Sequence, residues 1–166
     1  MQPNKTRDLS QLIIYTDGAS RGNPGNGGYG AVLHWGDTIK EISQGYRHTT
    51  NNRMELMAVI AALQLLKREG LDITIYTDSA YVVNAVEKKW VWGWLKKGFA
   101  GKKNADLWQL FLKEYRKHRI RMVWVKGHAD NKWNNRCDQL ATAAADSGNL
   151  LEDVGYEAGD KDEMLM

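Results

Sequence analysis

Residues 11–20 read QLIIYTDGAS and residues 72–81 read DITIYTDSAY, so an isoleucine-rich run closes twice on Tyr-Thr-Asp, at Asp17 and again at Asp78. Short apolar runs rich in isoleucine and bounded by turn-forming residues read as buried strands. Period-2 alternation puts Tyr15 and Asp17 on one face of the first strand, and Tyr76 and Asp78 on one face of the second. Residues 52–68 contain neither Pro nor Gly and are apolar nearly all round from Met54 to Leu66; Gly70 follows. That pattern predicts a buried helix. Strands joined through a helix can be parallel neighbours in a right-handed crossover. Both aspartates then lie at one carboxyl edge of the sheet, where open α/β sheets bind ligands.

The rest of the chain fits around this unit. Residues 18–28 are glycine-rich and contain Pro24, which predicts a loop. Tyr29–Trp35 alternates, Gly36-Asp37 is a turn dipeptide, and Ile39–Tyr46 continues extended. With the first strand these make an antiparallel meander. Residues 79–97 read as one or two short helices and 98–105 as a basic loop. Leu107, Trp108, Phe111, Leu112 and Tyr115 form the stripe of an amphipathic helix. Ile120–Lys126 reads as a strand, 127–134 as a loop and Cys137–Ala145 as an alanine-rich helix. The expected fold is α/β: a five-stranded mixed sheet, three strands antiparallel and then two parallel, flanked by helices. Its domain spans 11–147, after a flexible extension at 1–10 and before a disordered acidic tail at 148–166.

With 166 residues, 43% apolar and 26% charged, the chain can bury one sizeable core without staples. It holds no run of 18 apolar residues, and its first residues, MQPNKTRDLSQ, lack the apolar stretch of a secretory leader. Cys137 is the single cysteine, which excludes an internal disulfide and a cysteine-built zinc site. A cytoplasmic protein with no membrane association and no obligate protein partner is expected. The formal charge of +3 conceals an asymmetry: residues 148–166 carry six acids against Lys161, which leaves residues 1–147 at +8. A basic body suits a polyanion.

The carboxylates are candidates for chemistry. Asp17 and Asp78 at adjacent strand ends would repel unless they shared a proton or a cation, and a hard divalent ion with oxygen ligands answers that. The alternative is that each caps a local turn. Glu55, in Asn52-Arg53-Met54-Glu55, either completes a capping box with Asn52 or points to the sheet on the face of Val59, Ala62 and Leu66. Asp138, in Asn135-Arg136-Cys137-Asp138, has the same two readings. His128, after Gly127 and ten residues before Asp138, is either a solvated loop residue or a proton carrier with a near-neutral pKa.

Six lysines, Lys88, Lys89, Lys96, Lys97, Lys102 and Lys103, interleave with Trp90, Trp92, Trp94 and Phe99, with no acid among them. Lysines suit phosphates and aromatics suit sugars or bases; the alternative is an amphipathic helix with buried tryptophans. Gly25, Gly27 and Gly30 match a dinucleotide fingerprint, but the residues that follow alternate as a strand and offer no helix N-terminus to a pyrophosphate. Asn23, Thr50, Asn51 and Asn52 can supply neutral hydrogen bonds near the carboxylates, the kind that read a ribose 2′-hydroxyl.

The motifs TDGASRGNPGNGGYGAVL, TTNNRMELMAVIAAL, YTDSAYV, NADLWQ and WVKGHADNKWNNRCDQLA occur here in order. Over about residues 11–147 they resemble bacterial type 1 ribonuclease H. The resemblance implies endonucleolytic cleavage of the RNA strand of RNA–DNA hybrids with Mg²⁺, or Mn²⁺ as substitute, and a pair of ions held by the carboxylates is expected during catalysis. It places the metal-binding carboxylates at Asp17, Glu55, Asp78 and Asp138 and the mobile histidine at His128. Hybrid contacts fall at Ser20, Asn23, Thr50, Asn51, Asn52 and Asn104. The basic protrusion that grips the DNA strand falls in Trp90–Lys103, with Trp90, Trp94, Lys96 and Lys97 as its contacts. Three departures stand out: Ala80 where many members have glutamine, His34 where an arginine often helps hold a DNA phosphate, and a shorter basic loop at 98–103. Related readings are a strand-transfer nuclease on a similar sheet, which usually needs further domains, and a non-catalytic hybrid-binding module, which needs no cluster of acids.

Overall fold

The computed structural model describes residues 11–127 and 131–156. Three strands open the chain: β1 (Gln11–Arg21), β2 (Gly25–Trp35) and β3 (Thr38–Thr49). Next come α1 (Asn51–Gln64), β4 (Asp72–Thr77), α2 (Ala80–Glu87) and α3 (Trp90–Lys96). The chain continues through α4 (Ala105–Tyr115), β5 (Arg119–Trp124), α5 (Lys132–Asp146) and β6 (Leu150–Glu152). The strands form one sheet in the order β5-β4-β1-β2-β3-β6. β1, β2 and β3 pair antiparallel, while β4 runs parallel to β1 and β5 parallel to β4. The expected α/β architecture stands, with one correction: among the described residues the sheet has six strands rather than five.

The sixth strand comes from the segment read as tail. Leu150–Glu152 pairs in parallel with Gly45–Arg47, and Asp153 is buried. Its acidic composition concealed this, because three residues carry too little periodicity to register as a strand. Residues 148–156 are therefore part of the fold; the remainder of the expected tail, like the expected extension at 1–10, lies outside the described residues.

The echo in the sequence is an echo in space. Tyr15 pairs with Tyr76 and Thr16 with Thr77 across the β1–β4 ladder, and the two tyrosine rings stack with centroids 5.3 Å apart. On one face of the sheet, Leu12, Ile14, Ala31, Leu33 and Ile75 pack with Leu56, Val59, Ile60 and Leu63 of α1 and Trp108 and Phe111 of α4. α5 covers the other face of β1, β2 and β3. It comes close because Gly30 has no side chain: a Cβ there would stand 2.5 Å from the Cys137 carbonyl oxygen. Among the described residues no helix is long and apolar enough to cross a membrane.

Both capping boxes give way to earlier caps. Thr50 caps α1, its hydroxyl accepting from the Arg53 N–H, so Asn52 lies inside the helix. Asn131 caps α5, accepting from the N–H groups of Trp133 and Asn134 at 3.1 Å. α5 thus begins at Lys132 instead of Cys137, and the loop expected to reach 134 is shorter. α1 ends at Gln64 rather than Arg68.

Candidate active site

Three elements deliver three carboxylates to one place. Asp17 stands on β1, Asp78 follows the end of β4, and Glu55 lies on the inward face of α1. One oxygen from each lies within 4.8 Å of the others. Glu55 reaches the group because α1 rests directly on Gly18. A Cβ at Gly18 would stand 2.3 Å from the Glu55 nitrogen and 2.4 Å from the Met54 carbonyl carbon. Asp17 is also held locally, its Oδ1 accepting from the Gly18 N–H at 2.8 Å. The capping-box reading of Glu55 therefore fails: it sits beyond the first turn, buried and facing the sheet.

Asp138 lines the same cleft from α5 without joining the tight trio. With α5 starting at Lys132, it lies in the second turn, so its capping reading fails as well. The cleft holds about 440 Å³ and is also lined by Ser20, Asn51, Asn52, Ala80, Tyr81, Lys126, Asn134 and Asn135. His128 lies outside the described residues.

Burial and mutual repulsion set the electrostatics. Burial pushes the Asp17 carboxyl up to about 7; Asp78 and Asp138 add to the rise, against contacts from Glu55 and the Gly18 N–H. Burial and then the Asp17 charge raise Glu55 well above the usual carboxylate range. Glu55 Oε2 is buried with no hydrogen-bond partner among the described residues. A buried carboxylate oxygen without a donor, beside two more carboxylates, is a costly arrangement that a proton or a cation relieves. The donor set is all oxygen, which fits a hard divalent ion.

The expected hybrid-contact residues divide by role. Ser20, Asn51 and Asn52 open onto the cleft. Asn23 Oδ1 accepts from the Asn51 N–H at 3.1 Å and so seats the start of α1. Thr50 is the α1 cap. Asn104 donates from Nδ2 to the Tyr81 hydroxyl at 3.0 Å and accepts from Arg53 at 3.3 Å. On the basic stretch, Lys96 and Lys97 are exposed and Trp90 is 47% exposed. Trp94 packs edge-on against Trp108, while Phe99 is buried. Both readings of that stretch thus hold in part: aromatics on its inner side join the core, and lysines line the outside. Lys88, Lys89 and Lys102 lie over the rings of Trp90, Trp92 and Trp94. His34 is not among the cleft-lining residues. Its ring packs against Trp133 and Tyr15, and burial lowers its pKa.

Residue-by-residue reading missed Lys126, Asn134 and Asn135 on the cleft. Asn134 was accessible by spacing, being one helical turn before Asp138. It also missed Arg53, a buried cation that binds Asp153 through Nε at 2.7 Å and Asp106 through Nη2 at 2.7 Å.

A doubly layered sheet with a carboxylate cleft at the ends of its parallel strands defines the class: an RNase H-like α/β protein. Residues 9–146 match the family described as RNase H. The ribonuclease H of Desulforamulus reducens is 49% identical over 159 residues, covering 93% of this chain and 99% of that protein. LC9-RNase H1, a type 1 RNase H with the type 2 active-site motif, superposes with a TM-score of 0.75 at 28% identity, covering 89% of this chain and 79% of that one. LC11-RNase H1, in a crystal structure with an RNA/DNA hybrid, gives a TM-score of 0.62 at 29% identity, covering 81% and 96%. The chain belongs to the RNase H family, in its bacterial type 1 branch, and is a nuclease of that family.

Proposed function

We propose that the protein cuts the RNA strand of RNA–DNA hybrids internally, with two Mg²⁺ ions, or Mn²⁺ as substitute, and leaves 5′-phosphate and 3′-hydroxyl ends. The observation that carries this reading is the trio of Asp17, Glu55 and Asp78, gathered within 4.8 Å with a buried Glu55 oxygen that no described residue partners. With Asp138 on the facing helix, these are the residues that would hold the ions. Divalent cations held there would supply a water of lowered pKa and offset charge on the leaving oxygen.

The chain's own residues supply the remainder. Ser20, Asn51 and Asn52 offer neutral donors and acceptors beside the carboxylates, suited to a ribose 2′-hydroxyl. Exposed Lys96 and Lys97, with Trp90, present charge and a ring face to the DNA backbone. His128 keeps the proton-transfer role that the resemblance gives it. The hybrid bound to LC11-RNase H1 supports the substrate class. The reading also takes the protein to be cytoplasmic and monomeric.

Incubation with labelled RNA–DNA hybrid, duplex DNA and duplex RNA, with and without Mg²⁺, tests it. Cleavage of the RNA strand in the hybrid alone, and only with Mg²⁺, is expected. Asp17→Asn should abolish turnover, by more than about a hundredfold, yet still bind hybrid in Ca²⁺. Near-normal cleavage by that variant would refute the assignment.

A further inference from the structure

The hybrid contacts given by the resemblance reach the cleft from one side, through β1 and α1. β4 lies between β1 and β5 in the sheet, so the end of β5 forms the opposite flank of the carboxylates. A strand whose phosphate would be held at Asp17 and Asp78 by divalent ions extends to both sides of that point. The far one carries no assigned contact.

Trp124 stands there. It pairs with Thr77, the residue before Asp78, and is 52% exposed. Its indole N–H donates to the Asp78 carbonyl at 3.1 Å, and the next residue, Val125, donates its N–H to Thr77 at 2.9 Å. The ring is therefore held in place with much of its surface in solvent. Two residues on, Lys126 is exposed, lines the cleft and makes no ion pair among the described residues. A fixed aromatic surface beside an exposed ammonium is the pairing that binds a nucleotide and its phosphate. A ring already immobilised loses little freedom on binding.

We propose that Trp124 and Lys126 form a second RNA-strand contact on the β5 side of the carboxylates, the indole receiving a base or sugar and the ammonium a backbone phosphate. This rests on the hybrid-cleavage reading above. Trp124 has a competing role, since its N–H also braces the main chain of Asp78. The two roles separate chemically: Trp124→Phe keeps a ring and removes the N–H, whereas Trp124→Ala removes both.

The test uses the full chain and begins by confirming that the wild type binds and cleaves hybrid; failure there sinks the functional reading, not this one. Hybrid affinity is then measured in Ca²⁺, alongside kcat and KM in Mg²⁺, for Trp124→Phe, Trp124→Ala and Lys126→Ala. Trp124→Ala should weaken binding about tenfold and raise KM, with Trp124→Phe within about threefold of wild type. The loss should disappear on hybrids trimmed on one side of a single cleavage position and persist when the other side is trimmed. Lys126→Ala should lower the slope of log affinity against log salt by about one. Equal losses of kcat in both Trp124 variants with unchanged affinity would make the indole a brace for Asp78 and overturn the proposal. An unchanged salt slope in Lys126→Ala would overturn it independently, even if Trp124→Ala failed to fold.

Discussion

Asp17 carries the clearest physical signature in the molecule, because its surroundings oppose its charge. Burial pushes its carboxyl from the ordinary range up to about 7, so the folded protein binds a proton there more tightly than the unfolded chain does. Stability associated with this group is fully present below about pH 4 and is lost as pH rises through about 7. A divalent cation competes with that proton. Mg²⁺ binding should therefore strengthen from pH 6 to pH 8 and release protons, which calorimetry in two buffers of different ionisation enthalpy measures directly. Metal-free protein should melt lower at pH 8 than at pH 5, and Mg²⁺ should restore the difference. An Mg²⁺ affinity independent of pH over that range would contradict the carboxylate coupling. Asp17 and Asp78 were legible in the sequence, since two copies of one strand ending can meet only if the strands pair in register. Glu55 was legible only as one of two readings. What decided it was the missing side chain of Gly18, a contact between residues 37 positions apart that no local pattern displays.

At the level of elements, strands and helices were legible where periodicity was strong, and their starts were not. Thr50, Asn51 and Asn52 are three successive residues able to cap a helix, and local chemistry hardly ranks them. The choice is tertiary: Asn23 from the β1–β2 turn accepts from the Asn51 N–H, so the helix begins there. The same first turn is gripped by Arg53, whose guanidinium bonds to Asp106 at the start of α4 and to Asp153 after β6. Thr49 donates to the same Asp153 carboxylate at 2.7 Å. This joins α1, α4 and the C-terminal segment beside Asn51, Asn52 and Asn104. Asp153→Asn leaves a buried guanidinium short of one charge and should destabilise the fold by about 3 kcal/mol, read from urea unfolding. Because Glu55 is held by its contact with Gly18 rather than by Arg53, KM for hybrid should rise more than kcat falls. An equal loss in kcat with KM unchanged would place the clamp's influence on the carboxylates instead.

For the whole molecule, the informative quantity is where opposite charges lie along the chain. Composition treats residues 148–166 as a single acidic unit, but the fold divides it. Asp153 is consumed inside the Arg53 clamp, and Leu150–Glu152 is a strand. Residues 157–166 carry four acids and Lys161, so removing them raises the formal charge from +3 to +6 without touching β6. Two truncations then separate structure from electrostatics. Ending the chain after Asn149 deletes β6 and Asp153 and should lower the melting temperature sharply, because Arg53 stays buried with one of its two carboxylate partners removed. Ending it after Tyr156 should leave the melting temperature unchanged and strengthen hybrid binding at low salt by less than about tenfold. That gain should fade near 0.15 M salt, where screening acts over about 8 Å. If hybrid affinity at low salt does not respond to the shorter truncation, the acidic residues do not compete with the nucleic acid for the basic face.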